Sequence, residues 1–247
     1  MRNQTAIFSA SDGEANLTTD IVKKRKVVEH VSLLKAKEDL SEEQEKDMLD
    51  FLYTVQYQMR GIVAISLGRV SDENTENYTH AIYMRFQKKE DLARFYDNPF
   101  YLRVLREHVM PYCHEIINVD YESEVEDDIL PIFRKGEEFN FGLEFILLIE
   151  FSKNALSGPA EDALDAFGEL ITEFPSLIVQ ATKGSTINVG TTAYTHASVI
   201  RFRSSDAFDI FISSAEYKKI WSSKFQPIIE KSLHAPYSVD PVGTELM

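Results

Sequence analysis

The sequence predicts an α+β protein in which a ferredoxin-like βαββαβ unit is duplicated in tandem, so that one chain forms a pseudo-dimeric α/β barrel. Two observations lead to this prediction. The ten residues NYTHAIYMRF at 77–86 recur as AYTHASVIRF at 193–202, 116 positions later. The same order of strand-like and helix-like segments surrounds both copies. A period this long indicates a duplicated domain, because solenoid repeats are only ~20–50 residues long.

The repeat extends well beyond these ten residues. When the sequence is shifted by 116 positions, 14 of the 61 residues between 51 and 111 are identical without a gap. Average residue usage would give roughly three or four identities by chance. The identical pairs include Gly68/Gly184, His80/His196, Arg85/Arg201, Phe95/Phe211 and Tyr101/Tyr217.

The first unit opens with a strand and an amphipathic helix. Residues 26–36 (KVVEHVSLLKA) are rich in β-branched and apolar residues, which is typical of a strand. Ser41 and Gln44 form a capping box, and acidic residues fill the turn that follows. The helix that this predicts carries an apolar stripe of Met48, Leu52, Val55 and Met59.

Two more strands, two short helices and a closing strand complete the first unit. The strands are predicted at 61–70 and 78–86, with a polar turn between them. The helices are predicted to end near Pro99 and Pro111, because the residue before a proline disfavours helical backbone. The closing strand is predicted at 114–122.

The second unit repeats this order. GLEFILLIEF at 142–151 predicts a strand, and a helix is predicted to begin near Ser157 with Pro159 in its first turn. The later elements are strands at 177–184 and 194–202, helices around 205–230 and the closing segment PYSVDPV.

The chain is predicted to divide into a disordered leader (1–26), a first unit (27–122), an acidic linker (123–140) and a second unit (141–243). A ferredoxin-like unit carries helices on only one face of its sheet. The other face is apolar and would aggregate if it were bare. We therefore expect these two faces to pack against each other within the chain, an arrangement that is compatible with a further homodimer.

Charge and composition narrow the range of partners and compartments. The net charge is −14, whereas a nucleic-acid-binding domain usually needs a basic face. The basic run Lys23–Lys26 is interpreted as a solvated charge run. No apolar run approaches the ~18 residues of a membrane helix. We therefore expect neither a nucleic acid nor a membrane as partner.

The single cysteine, Cys113, allows no intramolecular disulfide and fits a reducing compartment. The protein is expected in the cytoplasm, or in a plastid if residues 1–26 are the remnant of a transit peptide. Secretion is not expected.

Three stretches carry a family resemblance: VEHVSLLKAK at the first strand, YTHAIYMRF at the third strand and FYDNPFYLRVLREHV after it. They resemble the stress-responsive A/B barrel (dimeric α/β-barrel) family, and most closely its two-repeat plant members. Many members have no assigned reaction, and some are known only as proteins induced by stress. One relative, the olivetolic acid cyclase of a polyketide pathway, closes a ring by aldol condensation.

The resemblance implies a set of pocket residues. In that cyclase a first-strand His, a third-strand His, a Tyr and a later His line the pocket. The matching positions here are His30, His80, Phe95 and Tyr101, in that order. Both strand histidines are kept, whereas the two residues that do the acid/base work are changed. Phe95 exchanges no proton, and a phenol with an ordinary pKa of about 10 is a poor base at neutral pH.

In the second repeat the corresponding pocket candidates are His196, Phe211 and Tyr217. The first-strand histidine is replaced there by Phe145 or Ile146, depending on how the loop is aligned. If only one repeat has a working pocket, we expect it to be the first.

Each of these candidates also has a structural interpretation. Period-two alternation places His30 and His80 on sheet faces that can line one cavity. His80 and His196 are equally consistent with core histidines, because both repeats keep the Tyr-Thr-His triplet. Tyr101 and Tyr217 are consistent with an aromatic lid.

No cofactor and no metal site are predicted. His30 and His80 would need a third ligand to hold a transition metal, and Mg²⁺ bound by backbone carbonyls leaves no sequence signal. Trp221 is expected in the core. The histidines without a repeat partner, expected at the surface or at helix ends, are His108, His114 and His234.

Three functions follow from these observations. The preferred hypothesis is a stress-associated protein that binds a small hydrophobic or aromatic metabolite without efficient catalysis. The second is a cyclase, isomerase or lyase in which His80 or His30 is the base and Tyr101 the donor. The third is a purely structural, very stable protein whose barrel is filled by side chains.

Overall fold

The computed structural model describes residues 24–71, 76–126, 142–187 and 192–239. They form two units with the predicted order of elements. The predicted leader up to residue 23 and most of the predicted linker lie outside the described residues. The first unit contains β1 (Lys24–Ala36), α1 (Glu42–Gln58), β2 (Ile62–Arg69), β3 (His80–Phe86), α2 (Lys89–Tyr96), α3 (Pro99–Val104), a π-helical turn (Leu105–Val109) and β4 (Cys113–Glu126).

The second unit repeats the first element by element. Its elements are β5 (Leu143–Phe151), α4 (Pro159–Thr172), β6 (Ile178–Ser185), β7 (His196–Phe202), α5 (Ser205–Ser213), α6 (Ala215–Ile220), a second π-helical turn (Trp221–Phe225) and β8 (Ile229–Ser238). Each unit has a four-stranded antiparallel sheet, with strand orders β2-β3-β1-β4 and β6-β7-β5-β8. The predicted α+β fold with two ferredoxin-like units is confirmed.

The first and last strands of the first unit run further than the sequence predicted. Residues 24–26, assigned to the leader, belong to β1, and residues 123–126, assigned to the linker, belong to β4. The extension pairs opposite charges across the ladder, because Lys24 faces Glu126 and Lys26 faces Glu124. Residues 24–26 of the basic run are nevertheless exposed to solvent.

Strand register establishes which residue of the second unit corresponds to His30. His30 is paired with Met84 on β3, and Phe145 is paired with Ile200 on β7. Met84 and Ile200 are equivalent in the repeat, since they are 116 positions apart. Phe145, and not Ile146, therefore takes the place of His30.

The two sheets face each other, and the helices cover their outer faces. Each unit has one apolar core between its sheet and its helices. A third core lies between the sheets and draws on both units, so the predicted packing of the two bare faces is present. Members of this third core include Val31, Leu33, Ala81 and Val119 from the first unit and Ile146, Leu148 and Val199 from the second.

A network of buried charges crosses this third core. Arg85 donates to Glu29 at 2.7 and 3.1 Å within the first sheet, and Arg201 donates to Glu144 at 2.6 Å within the second. The carbonyl oxygen of the Gln180 side chain accepts from both arginines, at 2.9 Å from Arg85 and 2.8 Å from Arg201. The opposite charges within each pair and the acceptor that the two arginines share offset part of the cost of burying these groups.

Two equivalent seams close the sheets into a barrel, and the repeated glycines lie at them. A Cβ atom on Gly68 would lie 1.9 Å from the carbonyl oxygen of Ser238, and one on Gly184 would lie 2.2 Å from that of Glu122. Real Cβ atoms do not approach a backbone oxygen this closely. The pair Gly68/Gly184 is therefore repeated because β2 meets β8 and β4 meets β6 at close range.

Candidate functional site

The candidate site lies in the first unit, where β1 and β4 pair beneath α2. His30 lies near the middle of β1 and is fully buried. It contacts Phe86 and Phe95 edge-on, with ring centroids 6.4 and 5.2 Å apart. Its side chain therefore points to the helix-covered face of the sheet.

Four polar side chains gather around His30, two from β4 through cross-strand register, one from β1 and one from α2. His30 is opposite Asp120, and Ser32 is opposite Asn118. The Nδ1 atom of His30 donates to Asp120 Oδ1 at 2.6 Å, and Ser32 Oγ lies 2.9 Å from its Nε2. Ser32 donates to Asn118 Oδ1 at 2.5 Å, and the Tyr96 hydroxyl donates to Asp120 Oδ2 at 2.7 Å. We call these five residues the His30 network.

Burial fixes the protonation of the Tyr96 phenol in this network. Burial in the first place, and the negative charge of Asp120 in the second, raise the pKa of Tyr96 well above its usual value. Tyr96 therefore keeps its hydrogen at neutral pH and donates it to Asp120. Because its hydrogen is donated to Asp120, the Tyr96 hydroxyl oxygen can only accept a further hydrogen bond.

A cavity of about 540 Å³ opens beside the network, between α2 and β4. Most of its wall is apolar, and Tyr96, Asn118 and Asp120 bring polar atoms onto it. His30 lies behind Asp120 and does not reach the wall. The residues that line the cavity are Lys89, Leu92, Ala93, Tyr96, Ile116, Ile117, Asn118, Asp120 and Ile187.

His80 lies on the same sheet face as His30 but belongs to a different cluster. It pairs with Leu34 on β1, four residues from His30, which is ~13 Å along a strand. Its Nε2 lies 2.6 Å from Glu45, which is also paired with Arg69. Burial lowers the pKa of His80, and the bond to Glu45 opposes this shift. His30 and His80 therefore lie in separate side-chain clusters, and neither lines the cavity between α2 and β4.

Phe95 and Tyr101 lie in the core between the first sheet and its helices. Phe95 is fully buried and stacks on Tyr101 with ring centroids 3.9 Å apart. Burial raises the pKa of Tyr101, as does the more distant Asp120. Neither side chain lines the cavity, so the structure brings Tyr96 to Asp120 where the resemblance had pointed to Phe95 and Tyr101.

The second unit carries a different set of residues at the equivalent place. Phe145 replaces His30, and Pro236, opposite Phe145 on β8, replaces Asp120. Neither residue is ionisable, so the His30 network has no counterpart there. Phe211 and Tyr217 are buried in the core of this unit.

His196 is separate from that core position and half-buried. Its Nε2 lies 3.1 Å from Ser185 Oγ and its Nδ1 lies 3.0 Å from Thr195 Oγ1. Burial lowers its pKa. Its Nε2 meets a hydroxyl where that of His80 meets the Glu45 carboxylate, so the two repeated histidines sit in different electrostatic surroundings.

His234 departs from its expected place at the surface. It lies in β8, half-buried, with its ring 4.7 Å from Trp221 and 5.6 Å from Phe145. Burial lowers its pKa to about 4. Trp221 packs against the second helix-side core. His114 is exposed, and His108 lies in the first π-helical turn, both as expected.

The described residues also bear on metal and membrane binding. Across residues 24–71, 76–126, 142–187 and 192–239, no group of three or more His, Cys, Asp or Glu side chains is placed to hold a metal ion. Within the same residues, no helix combines the length and apolar character needed to cross a membrane.

The sequence alone could have indicated part of the His30 network. Period-two alternation in the closing strand of the first unit places Asn118 and Asp120 on one face. Their position opposite Ser32 and His30 depends on strand register, which the sequence pattern does not give. Tyr96 directly follows Phe95, and only the observed course of α2 shows which of the two rings reaches Asp120.

Known proteins resemble this chain in sequence over its first unit. The model of the Stress responsive A/B Barrel Domain family matches residues 28–123. A stress-response A/B barrel domain-containing protein of Arabidopsis thaliana is 33% identical over 97 residues. This match covers 38% of the chain and 36% of the Arabidopsis protein, so it spans about a third of that relative's length.

Solved structures resemble the chain over both units. A Fusobacterium nucleatum protein named as a candidate monooxygenase matches with a TM-score of 0.61 at 14% identity, over 87% of this chain and 93% of its own. An anthrone oxidase-like protein matches with a TM-score of 0.59 at 11% identity, over 87% and 91%. At such identities the likeness concerns the fold alone. Residues 28–123 therefore match the stress-responsive A/B barrel domain, and the second unit repeats the same topology.

Proposed function

We propose that the first unit binds a small, uncharged, mainly apolar molecule that carries a hydroxyl group. The observation that supports this most is the cavity between α2 and β4, whose apolar wall is interrupted by Tyr96, Asn118 and Asp120. Its volume of about 540 Å³ lies within the ~300–1,000 Å³ typical of ligand sites. A ring system or a short chain fits such a space.

Two of the polar groups on the wall, Asp120 and Tyr96, favour a ligand that donates a hydrogen bond. Asp120 is a carboxylate, and Tyr96 has already given its own hydrogen to it. Both therefore present acceptor oxygens to the cavity. An alcohol or phenol satisfies such oxygens, whereas an ether or an ester does not.

Charge argues against an anionic ligand. The carboxylate of Asp120 lines the cavity, and the chain carries a net charge of −14. Lys89 also lines the cavity, but its ammonium group is 2.8 Å from Glu122. A carboxylate or phosphate on the ligand would meet net repulsion there.

Binding without efficient catalysis fits the state of the His30 network. Both ring nitrogens of His30 are engaged, one by Asp120 and one by Ser32, and the ring is fully buried. The raised pKa of Tyr96 means that its phenol stays protonated and cannot serve as the base. The network is well suited to hold Asp120 and Tyr96 in fixed positions, which lowers the entropy that binding must overcome.

A second candidate function is proton abstraction from a carbonyl-rich apolar substrate. The continuous chain from Ser32 through His30 to Asp120 favours it, since a carboxylate that lines the cavity and is backed by a histidine can accept a proton. Asp120→Asn should then abolish turnover of an enolisable ketone while leaving the fold intact. Equal turnover in the variant would exclude this function.

The binding function is tested with naphthol and its methyl ether, which have the same rings and differ in the donor hydroxyl. Naphthol should bind saturably in fluorescence titrations, and the methyl ether at least about tenfold more weakly, because a buried acceptor left unpaired is costly. Ala93→Trp should block the cavity. Asp209→Trp, at the equivalent exposed position of α5, should bind like the wild type. No saturable naphthol binding by the wild type would overturn the proposal.

A further inference from the structure

The wall of the first unit's cavity includes one side chain from the second unit. Ile187 lines the cavity with residues of α2 and β4. Among the residues that the structure describes, it is also the one second-unit side chain that packs against the helix-side core of the first unit. The cavity is therefore formed by both units, although its polar groups all come from the first.

The position of Ile187 is fixed by the seam between β4 and β6. Its backbone N–H donates to the carbonyl oxygen of Asp120 at 2.8 Å. The neighbouring residue Thr186 forms an isolated bridge with Tyr121. The peptide that carries Ile187 is thus attached to the same residue that provides the polar wall. A β-branched side chain has few χ1 rotamers, which limits the directions in which the Ile187 side chain can point.

The other seam has the same backbone contact but a different side chain. Ser71 is the counterpart of Ile187, and its N–H donates to the carbonyl oxygen of Pro236 at 2.9 Å. Pro236 is in turn the counterpart of Asp120. The backbone bond therefore belongs to the barrel seam in general, whereas the bulky apolar side chain lies at the seam that borders the cavity.

We infer that Ile187 of the second unit sets the size limit of the ligand that the first unit binds. This inference rests on the proposed binding function and deepens it. The ligand class is a planar aromatic alcohol whose hydroxyl meets Asp120 and Tyr96 and whose rings contact the Ile187 side chain on the same wall. A smaller side chain at position 187 enlarges the space for the rings, and a larger one reduces it.

The test is a size series of neutral aromatic alcohols: phenol, naphthol and phenanthrol, with one, two and three rings. Their dissociation constants are measured for the wild type, Ile187→Val, Ile187→Ala and Ile187→Trp. The affinity for phenanthrol relative to phenol should rise at least about tenfold in Ile187→Ala, with Ile187→Val intermediate, and fall by a similar factor in Ile187→Trp. Ile187→Val removes only one carbon and should leave the seam intact. An intermediate ratio in this variant would show that the effect follows side-chain size and not a disturbed seam.

Ser71 provides the matched control. Ser71→Ala and Ser71→Trp change the equivalent seam position on the other side of the barrel, and they should leave the phenanthrol-to-phenol ratio unchanged. If the wild type binds naphthol and the phenanthrol-to-phenol affinity ratio is the same in the wild type and all three Ile187 variants, the inference about Ile187 is overturned while the proposed binding function stands. A wild type that binds none of the three alcohols would overturn the proposed function and this inference together. Ratios that change equally in the Ser71 variants would show a general effect of the seam and would also overturn the inference.

Discussion

The hydroxyl of Tyr96 is held by a carboxylate that is itself held by a histidine. Asp120 accepts from His30 on one oxygen and from Tyr96 on the other. These hydrogen bonds hold the Asp120 carboxylate and the Tyr96 hydroxyl in position in the absence of a ligand. At the scale of single residues, the affinity of the site should therefore depend on Tyr96 more than on any other phenol nearby.

Tyr96→Phe tests this dependence, with Tyr101→Phe as its control. Removing the Tyr96 hydroxyl takes away one acceptor for the ligand and one donor to Asp120. We expect naphthol to bind roughly fivefold more weakly, which corresponds to about 1 kcal/mol for one hydrogen bond. Tyr101 is buried and does not line the cavity, so its variant should bind like the wild type. If Tyr101→Phe weakened binding and Tyr96→Phe did not, the position implied by the family resemblance would be the correct one.

His234 makes the second unit sensitive to acid. Burial lowers its pKa from the usual 6.5 to about 4, so between these values the unfolded chain binds a proton that the folded protein does not. The stability that this histidine contributes is present above pH 6.5 and is lost as the pH falls towards 4.

His234→Leu should remove that part of the pH dependence. The difference in unfolding free energy between pH 7 and pH 4.5 should become smaller by on the order of 2 kcal/mol, as measured by urea denaturation. His114→Gln is the control, because His114 is exposed in β4 and its loss should leave the difference unchanged. An unchanged difference in His234→Leu would show that His234 is not the group that titrates.

Elements that depend on local pattern were predictable from the sequence, and contacts that depend on register were not. Ser41 and Gln44 form the predicted capping box at the start of α1. His30 was identified through its family resemblance, but its partner Asp120 lies 90 residues away and is reached only through the pairing of β1 with β4. A slip of two residues in that pairing would keep every side chain on its own face of the sheet and place Asn118 or Glu122 opposite His30. The alternation of the strands does not exclude such a slip.

The repeated glycines show the same limit at the scale of elements. The sequence revealed that Gly68 and Gly184 are equivalent, while the reason for a glycine lies in another strand. At Gly184 that strand is β4, whose backbone leaves no room for a Cβ atom. The barrel closes through contacts between strands that are far apart in the sequence. At these positions the glycine is the one sign of that contact in the sequence.

Gly184→Ala should therefore weaken the seam between β4 and β6. The added methyl group would meet the carbonyl oxygen of Glu122 at 2.2 Å, and the strands must separate to accept it. We expect a loss of at least about 2 kcal/mol of unfolding free energy in urea denaturation. Gly168→Ala in α4 is the matched control, since the side-chain end of Lys183 can move away and alanine favours a helix. Equal stability of the two variants would mean that the seam is not close-packed.

At the scale of the whole molecule, the inner face of each sheet is complementary to that of the other unit. Neither face is complementary to a second copy of itself. Gln180 of the second unit has Ala64 as its counterpart in the first, since they pair with Arg201 and Arg85 respectively. The ring centroid of Tyr83 lies 4.2 Å from the guanidinium carbon of Arg201. In the second unit the residue equivalent to Tyr83 is Val199, which has no ring. Two copies of the first unit would bring two tyrosines together and leave both arginines without the shared amide. The two halves of the barrel therefore differ at the residues that meet between the sheets.

Gln180→Ala tests whether this asymmetric pairing stabilises the molecule. The substitution gives the second unit the residue of the first and removes the acceptor that Arg85 and Arg201 share. Both guanidinium groups are buried, so the donors left without that acceptor should cost about 1–3 kcal/mol of unfolding free energy in urea denaturation. Gln87→Ala, at an exposed position after β3, should cost almost nothing. Because Gln180 lies between the sheets, on the side of the first sheet away from α2, naphthol affinity should stay unchanged. If Gln180→Ala were as stable as Gln87→Ala, the packing of Tyr83 and the apolar core would suffice to hold the two units together without the hydrogen bonds to Gln180.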